Sequence, residues 1–412
     1  MKSVLPISCL CIIASSSCIA NSFHVGFNQP FVSIRTAIQK AGKGDTIWIH
    51  AGQYKEGNIS ISKAITVIGL DYPVLDGEGR FEILSVKSDY VQISGLFLKH
   101  SGKSSLEDIA ALKIYQCRNV KIKGNKIEDA FFGIYLLGSS QCIVEKNNII
   151  AYAKTEQQSG NGIHCWKCDS LLIAENQVNG HRDGIYFEFV TNSVIRGNHS
   201  KHNIRYGLHF MFSHQDEYIA NTFQNNGAGV SVMFTHGVRM IENLFEDNWG
   251  DGAYGLLLKE ISDSYIEGNI FKNNTTGVHM EGASRIKFIK NTFTGNGWAM
   301  KIQASCMDIQ VLKNNFLGNS FDVGTNGSLV LNSFNQNYWD KYEGYDLNKD
   351  NVGDVPYRPV SLFSMIVEKN PSTMMLFRSL MTSLLDRTER LIPSLTPADL
   401  KDDYPLMKPV KP

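Results

Sequence analysis

RYGLHFMFSHQDEYIAN, residues 205–221, contains a glycine, Gly207, and an asparagine 14 residues later, Asn221. The same interval of 14 separates Gly133 from Asn147, Gly162 from Asn176, Gly184 from Asn198, Gly229 from Asn243, Gly255 from Asn269 and Gly277 from Asn291. From each asparagine to the next glycine the count varies, from 8 to 15. Each unit therefore has one rigid part and accepts insertions at one corner, the mark of a stacked solenoid. Asn125 and Asn314 extend the asparagine column. Stacked in a turn, these amides bond their neighbours, a structural role.

The rigid part reads as strand. One residue after the glycines stand Ile134, Ile163, Ile185, Leu208, Val230, Leu256 and Val278; three after stand Leu136, Cys165, Phe187, Phe210, Val232, Leu258 and Met280. Both columns are apolar and face inward, and a side-chain period of two sends the positions between them outward. The pattern predicts an all-β, right-handed parallel β-helix solenoid with coils of about 22 residues.

Upstream, residues 33–70 read as a short amphipathic helix and the first strands, the helix covering the open end of the stack. Less regular coils fill 65–120. The repeat stops after Asn337, which divides the chain into a leader (1–20), the capped β-helix (21–337) and a tail (338–412). Phe377, Leu380, Met381, Leu384 and Leu385 recur at helical spacing and predict one amphipathic helix over 374–392, set to cap the far end or dock a partner. The leader has Lys2, an apolar stretch and small residues to Ala20, as an export signal does. Cys18 raises a lipid anchor, but Ser15 stands where such sites carry leucine. Five cysteines remain beyond the leader; the Cys165–Cys168 pair reads as core packing or one local disulfide. A formal net charge of zero gives no footprint for nucleic acid.

The outward columns carry the chemistry. Two after the glycines come Tyr135, His164, Tyr186, His209, Ser231, Leu257 and His279; four after come Leu137, Trp166, Glu188, Met211, Met233, Lys259 and Glu281. Seven after, His214 and His236 are neighbours. With coils roughly 4.8 Å apart, His209, Met211, His214, Met233 and His236 form one candidate group. Imidazoles with thioethers suit soft copper, Cu(I) above all. The plainer alternative is an apolar–aromatic strip for protein contact, since methionine suits both. His164, Trp166, Tyr186 and Glu188 belong to that strip, and Arg182 and Arg205 stand at equivalent corners able to grip an anion. A polysaccharide enzyme would need convergent carboxylates, and the outward acids do not stack. Asp346, Asn348, Asp350 and Asp354 resemble part of a calcium loop, although Asn351 replaces the usual glycine and Tyr357 the closing glutamate.

RDGIYFEFVTNSVIRGN (182–198), RYGLHFMFSH (205–214), NYWDKYEGYDLNKDNVGDVPYRP (337–359) and LIPSLTPADLKDDYPLMKP (391–409) together resemble the NosD family. The coils are generic among carbohydrate-binding and sugar-hydrolase repeats; YGLHFMFS and the tail are more specific. The resemblance implies a periplasmic, non-enzymatic protein. Its partners would be an ABC transporter permease and ATPase, a copper-chaperone lipoprotein and nitrous oxide reductase, whose copper–sulfide centre they help assemble. It defines no ligand positions; the five-residue group comes from coil geometry alone. It makes the tail helix the candidate transporter dock.

Overall fold

The computed structural model describes residues 20–104, 106–327, 331–376, 379–391 and 400–411. The leader, apart from Ala20, lies outside them, Cys18 included, as do Phe377 and Arg378. The chain is a parallel β-solenoid. A 25-stranded sheet takes two strands from most coils and a 13-stranded sheet takes a third. Register follows the columns read from sequence: Ile185 pairs with Leu208 and Leu208 with Val230, and Phe187 with Phe210 and Phe210 with Val232. These inward residues are fully or almost fully buried. Inside, Phe223, Phe245, Phe271, Phe293, Phe316 and Trp339 stack ring upon ring at 4.0–5.6 Å, a geometry that adds to the burial of aromatic area.

The asparagine column is a hydrogen-bonded ladder. From Asn147 to Asn314, each side-chain oxygen accepts from the amide and main-chain N–H of the asparagine one rung before, as Asn221 does from Asn198 at 3.0 Å. Their amides donate to main-chain carbonyls, as Asn221 does to Ile195. Five residues further on, Asn203, Asn226, Asn248, Asn274, Asn296 and Asn319 form a second ladder. The glycine of each rigid part sits where coils approach closely. A Cβ on Gly207 would lie 2.8 Å from both Gly229 O and Asn226 Nδ2.

Both ends are closed. Helix α1 (Ile34–Lys40) buries Ile34, Ala37 and Ile38 against the first coils, each isoleucine contributing about 2 kcal/mol. Glu56 receives the Ser33 hydroxyl and the N–H groups of Ile34 and Arg35 at its N-terminus, where a negative charge is favoured. Lys63 donates to the carbonyls of Ile38, Gln39 and Ala41 at its C-terminus. A strand not foreseen from the sequence, Ser22–Val25, precedes it.

The tail departs from expectation. Instead of one helix over 374–392 there are α2 (Leu362–Lys369), a 3-10 turn (Pro371–Leu376) and α3 (Leu380–Leu391). Pro371 cannot extend α2, which ends at Asn370. Phe363 and Val367 of α2 pack on Trp298 and Phe321 at the side of the rod, and Lys301 pairs with Glu368 at 2.8 Å. Residues 400–411, not α3, close the far end: Asp402 bridges to Phe334 and Tyr357, and Leu406 to Tyr338 and Val352.

Candidate metal centre

The glycine of each coil introduces an irregularity that period-two counting does not show. The residue just before it also faces out, so Asn161, Asp183 and Tyr206 join His164, Tyr186 and His209 on one surface. Their contacts show this: Asn161 Nδ2 lies 2.8 Å from His164 Nδ1, and the Tyr206 and His209 rings lie 4.8 Å apart. Tyr135, His164, Tyr186 and His209 form a continuous run of rings at 4.3, 4.8 and 4.9 Å. Tyr206 and Tyr254 approach to 6.5 Å across the small Ala228 between their rungs.

This face is outward yet largely covered. His209 is 7% exposed and Ser231 is fully buried. His209 thus points away from the core, as its column requires, but does not project into solvent. His164 is nearly buried as well, and burial, with Arg182 and Lys113 nearby, brings its imidazole down to about 3. Asp183 is fully buried; Arg205 grips it through two bonds of 3.0 and 2.7 Å. Burial pushes its carboxyl up, but the Arg205 guanidinium, bonded to both oxygens, outweighs that and holds it below the usual carboxylate range. Arg205 is therefore committed to an internal anion, and Arg182 donates to Asn161 Oδ1 at 3.1 Å.

Met211 and Met233 are rung partners, both half-exposed. The Tyr186 hydroxyl lies 3.8 Å from Met211 Sδ and 3.2 Å from Glu188 Oε2; burial, and the charge of Glu188, push that phenol up. Two residues before Met211, on the same outward face, His209 Nε2 is buried without a hydrogen-bond partner. An orphaned imidazole nitrogen and two thioethers on one face are donors that suit a soft cation. Trp166 is half-buried, with Lys167 Nζ 4.2 Å from its ring centre.

His214 and His236 stack at 4.0 Å, but the chain turns between them and the methionines. Phe189, Phe212 and Phe234 occupy that corner with φ of 54°, 48° and 54°, rings stacked at 5.3 and 5.1 Å. Gly138 and Gly282 hold the equivalent corner in other coils, where φ above zero is free of the Cβ penalty. The five expected ligands thus fall into two groups, His209 with Met211 and Met233, and His214 with His236. His214 Nδ1 faces the main-chain N–H of His236 at 3.3 Å, so a neutral ring carries its proton on Nε2. Burial and the His236 charge lower its pKa.

Among the described residues, no three His, Cys, Asp or Glu side chains come together in a metal-holding group. The five cysteines are free and buried; burial pushes their thiols up, to about 11 at Cys142 and about 12 at Cys168, which makes them inert core residues. In the acidic loop, Asp346 accepts from the N–H groups of Lys349, Asp350 and Asn351. Asn348 and Asp350 accept from Asp350 and Val352, and Asp354 from Leu347. That loop is held by its own turns.

The profile described as "Periplasmic copper-binding protein (NosD)" matches residues 143–348. The chain is 28% identical over 385 residues to a "Probable ABC transporter binding protein NosD" from Pseudomonas aeruginosa, covering 89% of each. It is 26% identical over 386 residues to the protein of that name from Stutzerimonas stutzeri, covering 89% of this chain and 87% of that one. Among solved structures it resembles XylC in complex with xylose, with a TM-score of 0.57 at 11% identity, over 80% of this chain and 88% of that one; this likeness concerns the fold alone. With a profile that spans the rungs of the candidate site and two relatives aligned over most of its length, the chain belongs to the NosD family of periplasmic copper-binding proteins.

Proposed function

We propose that this protein is a periplasmic accessory factor that carries copper on its outer face during assembly of the copper–sulfide centre of nitrous oxide reductase. In this reading it works with an ABC transporter and a copper-chaperone lipoprotein. The observation that carries the copper step is the pairing of Met211 and Met233 on adjacent rungs, on the face where His209 keeps a buried, partnerless Nε2. Copper is cargo here. A half-exposed thioether pair takes Cu(I) without a deprotonation step, and few ligands favour release as well as capture. His214 and His236 form a separate imidazole pair across the phenylalanine corner.

The relatives' names support a transporter as partner. The surface offered for it is the tail: Leu380, Met381 and Leu384 of α3 and Met375 before it are exposed, an apolar patch on an arm that α2 fixes to the rod. Cleavage of polysaccharide is disfavoured because Asp183, the fully buried acid of the outer face, is tied up by Arg205.

The test is Cu(I) titration of the purified protein against a chromophoric chelator. Met211→Ala with Met233→Ala should weaken binding by about tenfold or more, and unchanged affinity removes the copper site. Deleting the gene should leave the host's nitrous oxide reductase without its copper–sulfide centre.

A further inference from the structure

Arginine nitrogens only donate hydrogen bonds. Arg205 Nη2 lies 3.3 Å from His209 Nδ1, so Nδ1 is the acceptor and a neutral His209 ring carries its proton on Nε2. A protonated Nε2 has no lone pair for a metal. The ligating tautomer needs the proton on Nδ1 and an acceptor to receive it. Asp183 Oδ2 is the nearest, but at 3.7 Å it is beyond hydrogen-bond reach, while Arg205 Nη2, bonded to that oxygen at 2.7 Å, presents its donor to Nδ1.

We propose that Arg205 is a latch on His209: while seated on Asp183 it holds the ring in the tautomer that cannot bind metal, and its release lets Asp183 switch the ring to the tautomer that can. The inference rests on the copper reading of His209, Met211 and Met233.

On release, Nε2 gives up its proton and Nδ1 gains one, so the neutral ring keeps a single proton throughout. Asp183 then accepts the Nδ1–H, as carboxylates do behind ligating imidazoles, and the Nε2 lone pair is free on the face that carries Met211 and Met233. Release is geometrically open to Arg205. Its side chain is 33% exposed, and its guanidinium carbon already lies 5.0 Å from the centre of the Tyr206 ring, a second seat of the cation–π kind. His209 has no such freedom, since its ring lies between those of Tyr186 and Tyr206. In this arrangement Asp183 and Arg205 are positioning residues that act through His209.

The test reads the proton directly. In copper-free protein with 15N-labelled histidine, long-range 1H–15N correlation should show His209 protonated on Nε2 in the wild type and on Nδ1 in Arg205→Met. Cu(I) affinity should rise about tenfold in Arg205→Met, the worth of one lost charge-assisted bond. Adding Asp183→Asn should abolish the gain. Arg205→Lys keeps a charge beside Asp183 but lacks the fork that reaches both partners, so it should show a mixed tautomer even if Arg205→Met folds poorly. An Nδ1 proton in the wild type, or no change of tautomer in either Arg205 variant, overturns the latch. A changed tautomer with unchanged Cu(I) affinity also overturns it. If Met211→Ala is silent as well, the copper reading falls with it.

Discussion

Asp402 closes the asparagine ladder at Asn337: a single carboxylate oxygen accepts both the main-chain N–H and the side-chain amide of Asn337, at 2.9 and 3.0 Å. It takes the place that the next asparagine would fill. The same oxygen receives Trp339 Nε1 at 3.1 Å, and the other receives the N–H of Gln336. Asp402 is fully buried, so none of these donors has water to turn to.

Asp402→Ala should therefore cost about 3 kcal/mol or more, because it orphans several buried donors at once. The loss should be local, as in other stacked repeats. Hydrogen exchange should speed up over residues 311–342 and leave the central coils unchanged. Asp402→Asn, which keeps one acceptor, should lose less.

His181 occupies the position before Asn203 in the second ladder, its N–H bonded to Asn203 Oδ1 at 3.1 Å. Its ring is fully buried, with Nε2 unpartnered, and burial brings its pKa down to about 3. The folded form thus binds its proton later than the unfolded one, so stability is full above about pH 6.5 and is lost as pH falls toward 3, by up to about 1.4 kcal/mol per unit. His181→Asn should extend the ladder and flatten this acid limb. His164 contributes with the same sign, so urea midpoints at pH 7 and pH 4 should converge without becoming equal.

Asp216 gives the opposite slope. Oδ1 accepts from Ser193 N at 2.7 Å, whereas Oδ2 is buried and unpartnered; burial raises the carboxyl to about 8. The folded state keeps a proton that the unfolded chain gives up near pH 4, so stability declines as pH climbs from about 4 to 8. Asp216→Asn should raise the urea midpoint at pH 8 and barely move it at pH 4.

Spacing made the scaffold legible. The glycine-to-asparagine interval, the two apolar columns and the rung neighbours of Met211 follow from counting alone. The second ladder was equally countable, since its asparagines stand five residues after those of the first, but it lies toward the corner where insertions break the interval to the glycines. The cover over His209 was not legible. It depends on the outward turn before each glycine, which brings in Asp183 and Tyr206, and on Ala228 being small enough for Tyr206 and Tyr254 to meet above it. The separation of His214 and His236 from the methionines follows from a backbone angle at Phe212 that bulky residues seldom adopt. The tail helix begins later than expected, because residues 371–376 wind as a 3-10 turn and α3 starts only at Leu380, and α2 before Pro371 was not foreseen.

The far-end closure also sets an order of events during folding. The rung at Asn337 waits for a residue 65 positions downstream, so until residue 402 has docked the last coil offers bare strand edges to whatever is near. The interval is a window for misassociation, and it shuts when the tail folds back.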